Sequence, residues 1–173
     1  MTEPISMRCL AAADLVDYKD LRDAMLAAHP LAFSSDAAQA RLQSPESYGS
    51  RLGPESPTGG EFTLGAWQGA RLIGAIGCTR DMRVKVRHIG HVVGMMVRDE
   101  RQGRGLGRAL LDGCIAQARR SADLELLTLS VTEGNTAAIR LYEHAGFTRY
   151  GSLPRAICVG GQYHAKHLMV LAL

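Results

Sequence analysis

A strand-like stretch from Ile89 to Val97 leads through Arg98-Asp99-Glu100-Arg101 into Gln102-Gly103-Arg104-Gly105-Leu106-Gly107. From there Gly107, Leu110, Leu111, Cys114, Ile115 and Ala118 recur at three- and four-residue spacing to about Arg120. Strand, glycine-rich turn and amphipathic helix in that order constrain the chain more than anything else in it. The order builds an anion site: unpaired N–H groups of the first helical turn point outward, the helix dipole favours negative charge there, and glycines let a ligand approach the backbone. Two phosphate-binding spacings are excluded. The dinucleotide pattern G-x-G-x-x-G fails because Arg108 occupies its third glycine position, and no Gly-Lys-Ser/Thr occurs anywhere. The spacing present is Gln102-x-x-Gly105-x-Gly107.

The rest of the chain predicts the layers around this loop. Residues Asp14 to Ala28 are read as a helix with Asp14 as N-cap and with Leu15, Tyr18, Leu21, Arg22, Met25 and Leu26 on one face, ended by His29-Pro30. Asp36 to Leu42 is a second helical piece, and Ser44 to Gly60 has the Ser, Pro and Gly content of a loop or lid. Strands are expected at Met7 to Cys9, Phe62 to Trp67, Arg71 to Cys78, Ile89 to Val97, Leu124 to Val131, Phe147 to Ser152 and Ala165 to Leu173, with alternating Val84 and Val86 between Met82 and His88. Gln68-Gly69-Ala70 joins a hairpin, and a loop with Pro154 and Gly160-Gly161 separates the last two strands. Gly90 and Gly94 inside a strand mark a bulge or a close ligand approach. Asn135 to Ala145 is a helix with Asn135 as N-cap and Gly146 as its stop. The fold class is α/β (α+β), a mixed sheet with helices on both faces.

Composition narrows the function classes. The 173 residues fit one domain, residues 1–173, with 46% hydrophobic and 21% charged content. Net charge is +3, from 20 basic and 17 acidic residues, too mild to imply nucleic acid by itself, and 5% aromatic content offers few stacking platforms. Arg80, Arg83, Lys85, Arg87, Arg98, Arg101, Arg104 and Arg108 crowd one stretch, either as a solvated face or as a site for a phosphorylated ligand. The longest apolar run, Leu168 to Leu173, is six residues, so no membrane span is expected, and Met1-Thr2-Glu3-Pro4 carries no signal pattern. A cytoplasmic setting follows as the expectation. The four cysteines, Cys9, Cys78, Cys114 and Cys158, have no metal-ligand spacing and read as free thiols, so no metal is expected.

With these residues in view, the sequence resembles the GNAT superfamily of acyl-CoA-dependent N-acyltransferases. The Gln102-x-x-Gly105-x-Gly107 loop after Val97 is similar to that family's coenzyme-A pyrophosphate loop. Asn135-x-x-Ala138-x-x-Leu141-Tyr142 followed by Ala145-Gly146-Phe147 resembles a second family block, and Leu21-Arg22, Pro30-Leu31-Ala32-Phe33 and Leu168-Met169-Val170-Leu171 agree along nearly the whole chain. The resemblance implies a twisted sheet of about six to seven strands, splayed between the strands at 89–97 and 124–131. It implies acetyl-CoA as co-substrate, docked by Gln102, Gly103, Arg104, Gly105, Leu106, Gly107 and Arg108, with main-chain groups of Met95 and Val97 holding the pantetheine arm and Asn135 contacting it. It implies Tyr142 as general acid toward the departing thiolate. Without the family context, Tyr142 reads as a packing residue beside Leu141 and Phe147, Asn135 as a plain cap, and the Met95 and Val97 side chains as pocket wall.

The base is not fixed by the residues. His91 or Glu133, His88, or a water chain are open. One departure concerns the acceptor: Gly161-Gln162-Tyr163-His164-Ala165-Lys166-His167 has Ala165 and Lys166 where similar sequences have two acids, which argues against a polycationic acceptor. Acceptor choice is expected to lie with Phe33–Gly60 and Arg155–His167. The function implied is acetyl transfer to a primary amine of a small molecule or peptide by direct attack in a ternary complex. No nucleic-acid or membrane partner is expected, and a homodimer is left open. The alternative is a non-catalytic acyl-CoA-binding module on the same fold.

Overall fold

In the computed structural model, which describes residues 3–53 and 60–173, the apolar alternation after position 60 becomes a tight hairpin. Strands β2 (Phe62–Gln68) and β3 (Arg71–Arg80) close through Gly69 at φ +56° and Ala70, a two-residue turn that matches strand twist. Strand β1 (Ile5–Cys9) adds antiparallel to β2, and β4 (Ile89–Val97) adds antiparallel to β3. Strand β5 (Leu126–Thr132) lies parallel to β4, and β7 (Gln162–Ala172) and β6 (Thr148–Val159) complete a seven-stranded sheet in the order β1-β2-β3-β4-β5-β7-β6. The mixed sheet read from the sequence is therefore present.

Both faces are covered, as the helix stripes require. Helix α1 (Leu15–Ala28) and the 3-10 turn Pro45–Arg51 seal one face over Leu21, Met25, Trp67, Leu72, Ala75 and Met96. Helix α2 (Ala37–Arg41) is short and capped by Asp36, whose carboxylate accepts from Gln39 N–H at 2.9 Å. Helices α3 (Leu106–Arg119) and α4 (Thr136–His144) cover the other face over Ile73, Ile76, Val92, Leu110, Leu127 and Met169. One strand changes allegiance between these cores. In β4, Val92 packs toward α3 while Met96, also an even position, packs toward α1. Ala75 pairs with Met96 and Gly77 with Val93, so two steps on β3 oppose three on β4. The extra residue is a bulge at Gly94, φ +60°, and it turns Met95 and Val97 onto the face that Val92 occupied.

Three sequence readings are corrected. Met82 to His88 is not a strand. It folds into turns, with Val86 and Arg87 N–H groups donating to the Arg83 carbonyl, and Met82 and Val84 are exposed. Two valines among Arg83, Lys85 and Arg87 have no strand to pair with. The segment around Pro154 is no loop either, because β6 and β7 run on as one long ribbon to Gly160-Gly161, both with positive φ. Pro154 and Arg155 fall where the ladder shifts register between Leu153 and Ile157, the place in a sheet where proline is tolerated. Asp14 does not cap α1 with its side chain. Its carboxylate instead takes both Arg8 guanidinium nitrogens, at 2.6 and 2.8 Å, and the Ala11 N–H at 2.8 Å. Of the expected lid at Ser44 to Gly60, positions 54–59 lie outside the described residues.

Candidate active site

Strands β4 and β5 pair only at Ile89↔Leu126, Gly90↔Leu127 and His91↔Thr128. Beyond His91 they part, and β5 continues its pairing with β7 alone. The Arg98 N–H donates to the Ile73 carbonyl at 3.0 Å on the β3 side. By strand alternation Met95 and Val97 then present their backbone N–H and C=O groups to the open seam. The Val97 carbonyl is already taken, by the Gln102 side-chain amide at 3.1 Å, so the groups left for a ligand are the Met95 N–H and C=O and the Val97 N–H.

One end of the seam is the glycine loop. Arg98, buried, donates from Nε to the Leu72 carbonyl at 2.9 Å and pairs with Asp20 at 2.5 Å, so it ties β4 to α1 rather than facing a ligand. After the 3-10 turn Asp99–Arg101, Gln102 also reaches Asp99 at 2.8 Å, and Asp99 meets His29 at 2.6 Å. Gly103 and Gly105 then take φ +69° and +79°, and Gly105 is the N-cap of α3. A Cβ at either position would point into open space. An acidic group can thus lie against the loop backbone and the free N–H groups of the first turn, so a diphosphate fits here. The adjoining cleft, about 440 Å³, is lined by Met95, Val97, Gln102, Gly103, Gly105, Gly107 and Arg108, and by Asn135 and Leu141 from the α4 segment. Arg104 and Leu106 do not line it. Leu106 is a core side chain, and both border a separate groove beside Ile5 and Met7. The arginine cluster disperses in the same way: Arg83 pairs with Asp81, Arg101 donates to Gln68, and Arg108 holds Asp112 at 2.8 Å.

Where β4 and β5 part, the cleft continues as a chamber of about 300 Å³ that shares Phe33, Met95, Asn135 and Ala138 with the first. Tyr142 lines this chamber. Its ring packs edge-on against Phe147, centroids 6.0 Å apart, and burial pushes its hydroxyl up to about 12, with Cys114 behind it adding to the rise. A phenol in that state is neutral, a proton donor at ordinary pH. Asn135 caps α4, its Oδ1 accepting from Ala138 N–H at 3.3 Å, and borders both compartments. A third hollow, about 530 Å³, opens beyond Asn135 between Pro30 and Glu133. Glu133 accepts from the Ala165 N–H at 2.7 Å and returns its own N–H to the Ala165 carbonyl at 2.9 Å, so it fastens β5 to β7. The two histidine candidates fall elsewhere. The His91 Nδ1 sits 2.6 Å from Thr128 Oγ1 at the last paired position, on the face opposite Val92, and His88 caps β5 through its carbonyl. Neither lines the seam.

A seam in a mixed sheet, with a glycine-capped helix at one end and a buried phenol in it, agrees with the comparison of the sequence against family models. The acetyltransferase (GNAT) family model matches residues 19–147. The chain belongs to this family. A mycothiol acetyltransferase of Geodermatophilus obscurus is 38% identical over 128 residues, 72% of this chain and 38% of the relative. The chain thus spans about two fifths of the length of that curated relative. An L-methionine sulfoximine/L-methionine sulfone acetyltransferase of Pseudomonas aeruginosa is 37% identical over 59 residues, 34% of each chain. The crystal structure of a GNAT-family acetyltransferase from Streptococcus pneumoniae superposes with a TM-score of 0.86 at 26% identity, covering 98% of this chain and 100% of that one.

Within this GNAT fold the seam also gathers Arg22, which the sequence reading placed only on the apolar face of α1, together with residues of the two segments expected to govern acceptor choice. Arg22 of α1, Arg51 at the end of the 3-10 turn, and Lys166 of β7 line the chamber with Ser34 and Ser35. The signal available in the sequence was Arg22 itself, a cation inside the apolar stripe of α1. Both segments expected to govern acceptor choice contribute: Phe33 to Ser35 and Arg51 from one, Lys166 from the other. Among the described residues no cluster of three or more potential metal ligands forms, and no helix is long and apolar enough to cross a membrane.

Proposed function

We propose that residues 1–173 form one N-acetyltransferase domain that moves an acetyl group from acetyl-CoA to a primary amine by direct attack in a ternary complex. The observation that carries this reading is the β4–β5 seam, which joins the glycine-capped start of α3 to the chamber where Tyr142 lies. The names of the relatives support it, since each is an acetyltransferase.

The bound thioester supplies an activated acetyl carbonyl. The protein's own groups supply position, polarity and protons. Backbone N–H groups from Gly103 to Gly107 hold the diphosphate, and the Met95 C=O with the Val97 N–H pairs with the pantetheine arm as an added strand, Asn135 flanking it. The Met95 N–H, beside the bulge, polarises the carbonyl oxygen. As the amine nitrogen bonds to the carbonyl carbon and the carbon–sulfur bond breaks, the Tyr142 hydroxyl donates its proton to the leaving sulfur. The nitrogen's surplus proton leaves through water toward the Glu133 carboxylate, which borders the hollow beyond Asn135, and passes to solvent, from which the Tyr142 oxygen is reprotonated. The products are an amide and free coenzyme A.

Thiol release from acetyl-CoA, screened over amines, amino acids, peptides and aminoglycosides, tests this. Amine-dependent release is expected. Calorimetric binding of coenzyme A with no release on any amine overturns the catalytic reading in favour of a binding module.

A further inference from the structure

We propose that the acceptor amine carries an anionic group, of carboxylate or phosphonate type, seated by Arg22, Arg51 and Lys166 in the chamber beside Tyr142. The proposal rests on the acetyl-transfer reading and names the class of acceptor it serves.

The three cations converge from distant segments on one space and bring no counter-ion. No acidic residue lines the chamber, and among the described residues none of the three takes part in an ion pair. Arg22 is the sharpest case. It is 4% exposed, and its Nε has no hydrogen-bond partner. A buried guanidinium without a carboxylate is costly, and an anion completing it removes that cost. The site is also held ready. Arg22 donates to Ser35 Oγ at 2.7 Å, and Lys166 donates to Ser34 Oγ at 2.6 Å. The Arg22 and Arg51 guanidinium carbons lie 5.6 and 5.9 Å from the centroid of the same Tyr48 ring. Neutral serines and an aromatic ring orient these charges without neutralising them, and two guanidinium forks suit a planar or tetrahedral oxyanion. Burial holds Lys166 below its ordinary lysine value, as expected for an amine that lacks an anionic neighbour.

The anion could come from the acceptor or from a phosphate of the cofactor. The cofactor's diphosphate already has the glycine loop, whose residues line the other compartment. The test separates the two sources. Protein saturated with coenzyme A is titrated calorimetrically with a panel of α-amino acids and α-aminophosphonates, each paired with its neutral amide or ester. In at least one pair the anionic member is expected to bind about tenfold more tightly or better, and Lys166→Met and Arg51→Met should bring that ratio close to one while coenzyme A affinity stays unchanged. Arg22→Met should act likewise where its melting curve shows a folded protein. Equal affinity within every pair, binding by no member of the panel, or loss of coenzyme A affinity in the Lys166 and Arg51 variants overturns the proposal. Thiol release is read separately. Anion-selective binding without turnover would sink the acetyl-transfer reading and leave the anion site standing.

Discussion

Tyr142 belongs to the core and to the seam at once, so one atom separates its two roles. Tyr142→Phe removes only the hydroxyl and keeps the edge-on packing against Phe147. Coenzyme A affinity is expected to stay within about twofold, and the steady-state rate on the true acceptor to fall by about 10²–10⁴. The pH profile adds a check. Burial raises the Tyr142 hydroxyl to about 12, so its proton is retained as pH rises past the ordinary phenol value of about 10. No alkaline limb centred near that ordinary value should appear. A variant rate within twofold of wild type would leave Tyr142 without the assigned role, whereas such a limb that disappears in Tyr142→Phe would keep the role and overturn the raised hydroxyl value. Tyr142 and Asn135 could be picked out from sequence because both lie on one short helix at local spacing. Arg22, Arg51 and Lys166 could not be grouped, because their meeting depends on α1, the 3-10 turn and β7 closing around the seam. His91 would share a face with Met95 only in a strand without a bulge, and the bulge at Gly94 puts the two on opposite faces of β4.

At the scale of elements, the glycine loop was legible and the strand register was not. Gly103 and Gly105 need positive φ whatever surrounds them, and α3 begins where the spacing said. The bulge at Gly94 was flagged by its glycine, but its consequence, Val92 and Met96 on opposite faces, needed the β3 partner. Only the outer part of the β6–β7 ribbon, between Ser152 and Ala165, was read as a loop, because Pro154 and two glycines carry a turn signal that only pairing across the ribbon overrides. The loop yields a controlled prediction. Gly105→Val places a branched side chain on strained backbone, pointing into the space a diphosphate would take. Coenzyme A affinity should fall about tenfold or more, roughly 1.4 kcal/mol. Gly160→Val, at φ +56° and equally open space on the ribbon tip, carries comparable strain far from the loop and should bind coenzyme A normally. Wild-type affinity in a folded Gly105→Val protein would remove the loop from the cofactor site.

At the scale of the molecule, β1 to β4 and β5, β7 and β6 are two half-sheets joined by three paired positions, and function needs the join closed at one end and open at the other. The closed end rests on a close packing contact. Leu127, fully buried, lies beside Gly90, where a Cβ would come within 2.8 Å of Leu127 Cδ2 and 3.0 Å of Cys78 Sγ. Leu127→Ala empties that place and should cost about 2–5 kcal/mol in chemical denaturation. Gly90→Ala overfills it and should cost about 1–3 kcal/mol. Together the two changes exchange volume across the seam, so the double variant should be more stable than the sum of the single costs by about 0.5–3 kcal/mol. Val84→Ala, on an exposed turn, serves as the reference and should stay within about 0.5 kcal/mol of wild type. If the Gly90 and Leu127 costs simply add, the half-sheets are not held by this contact. The open seam would then need another source of rigidity than the packing at its closed end.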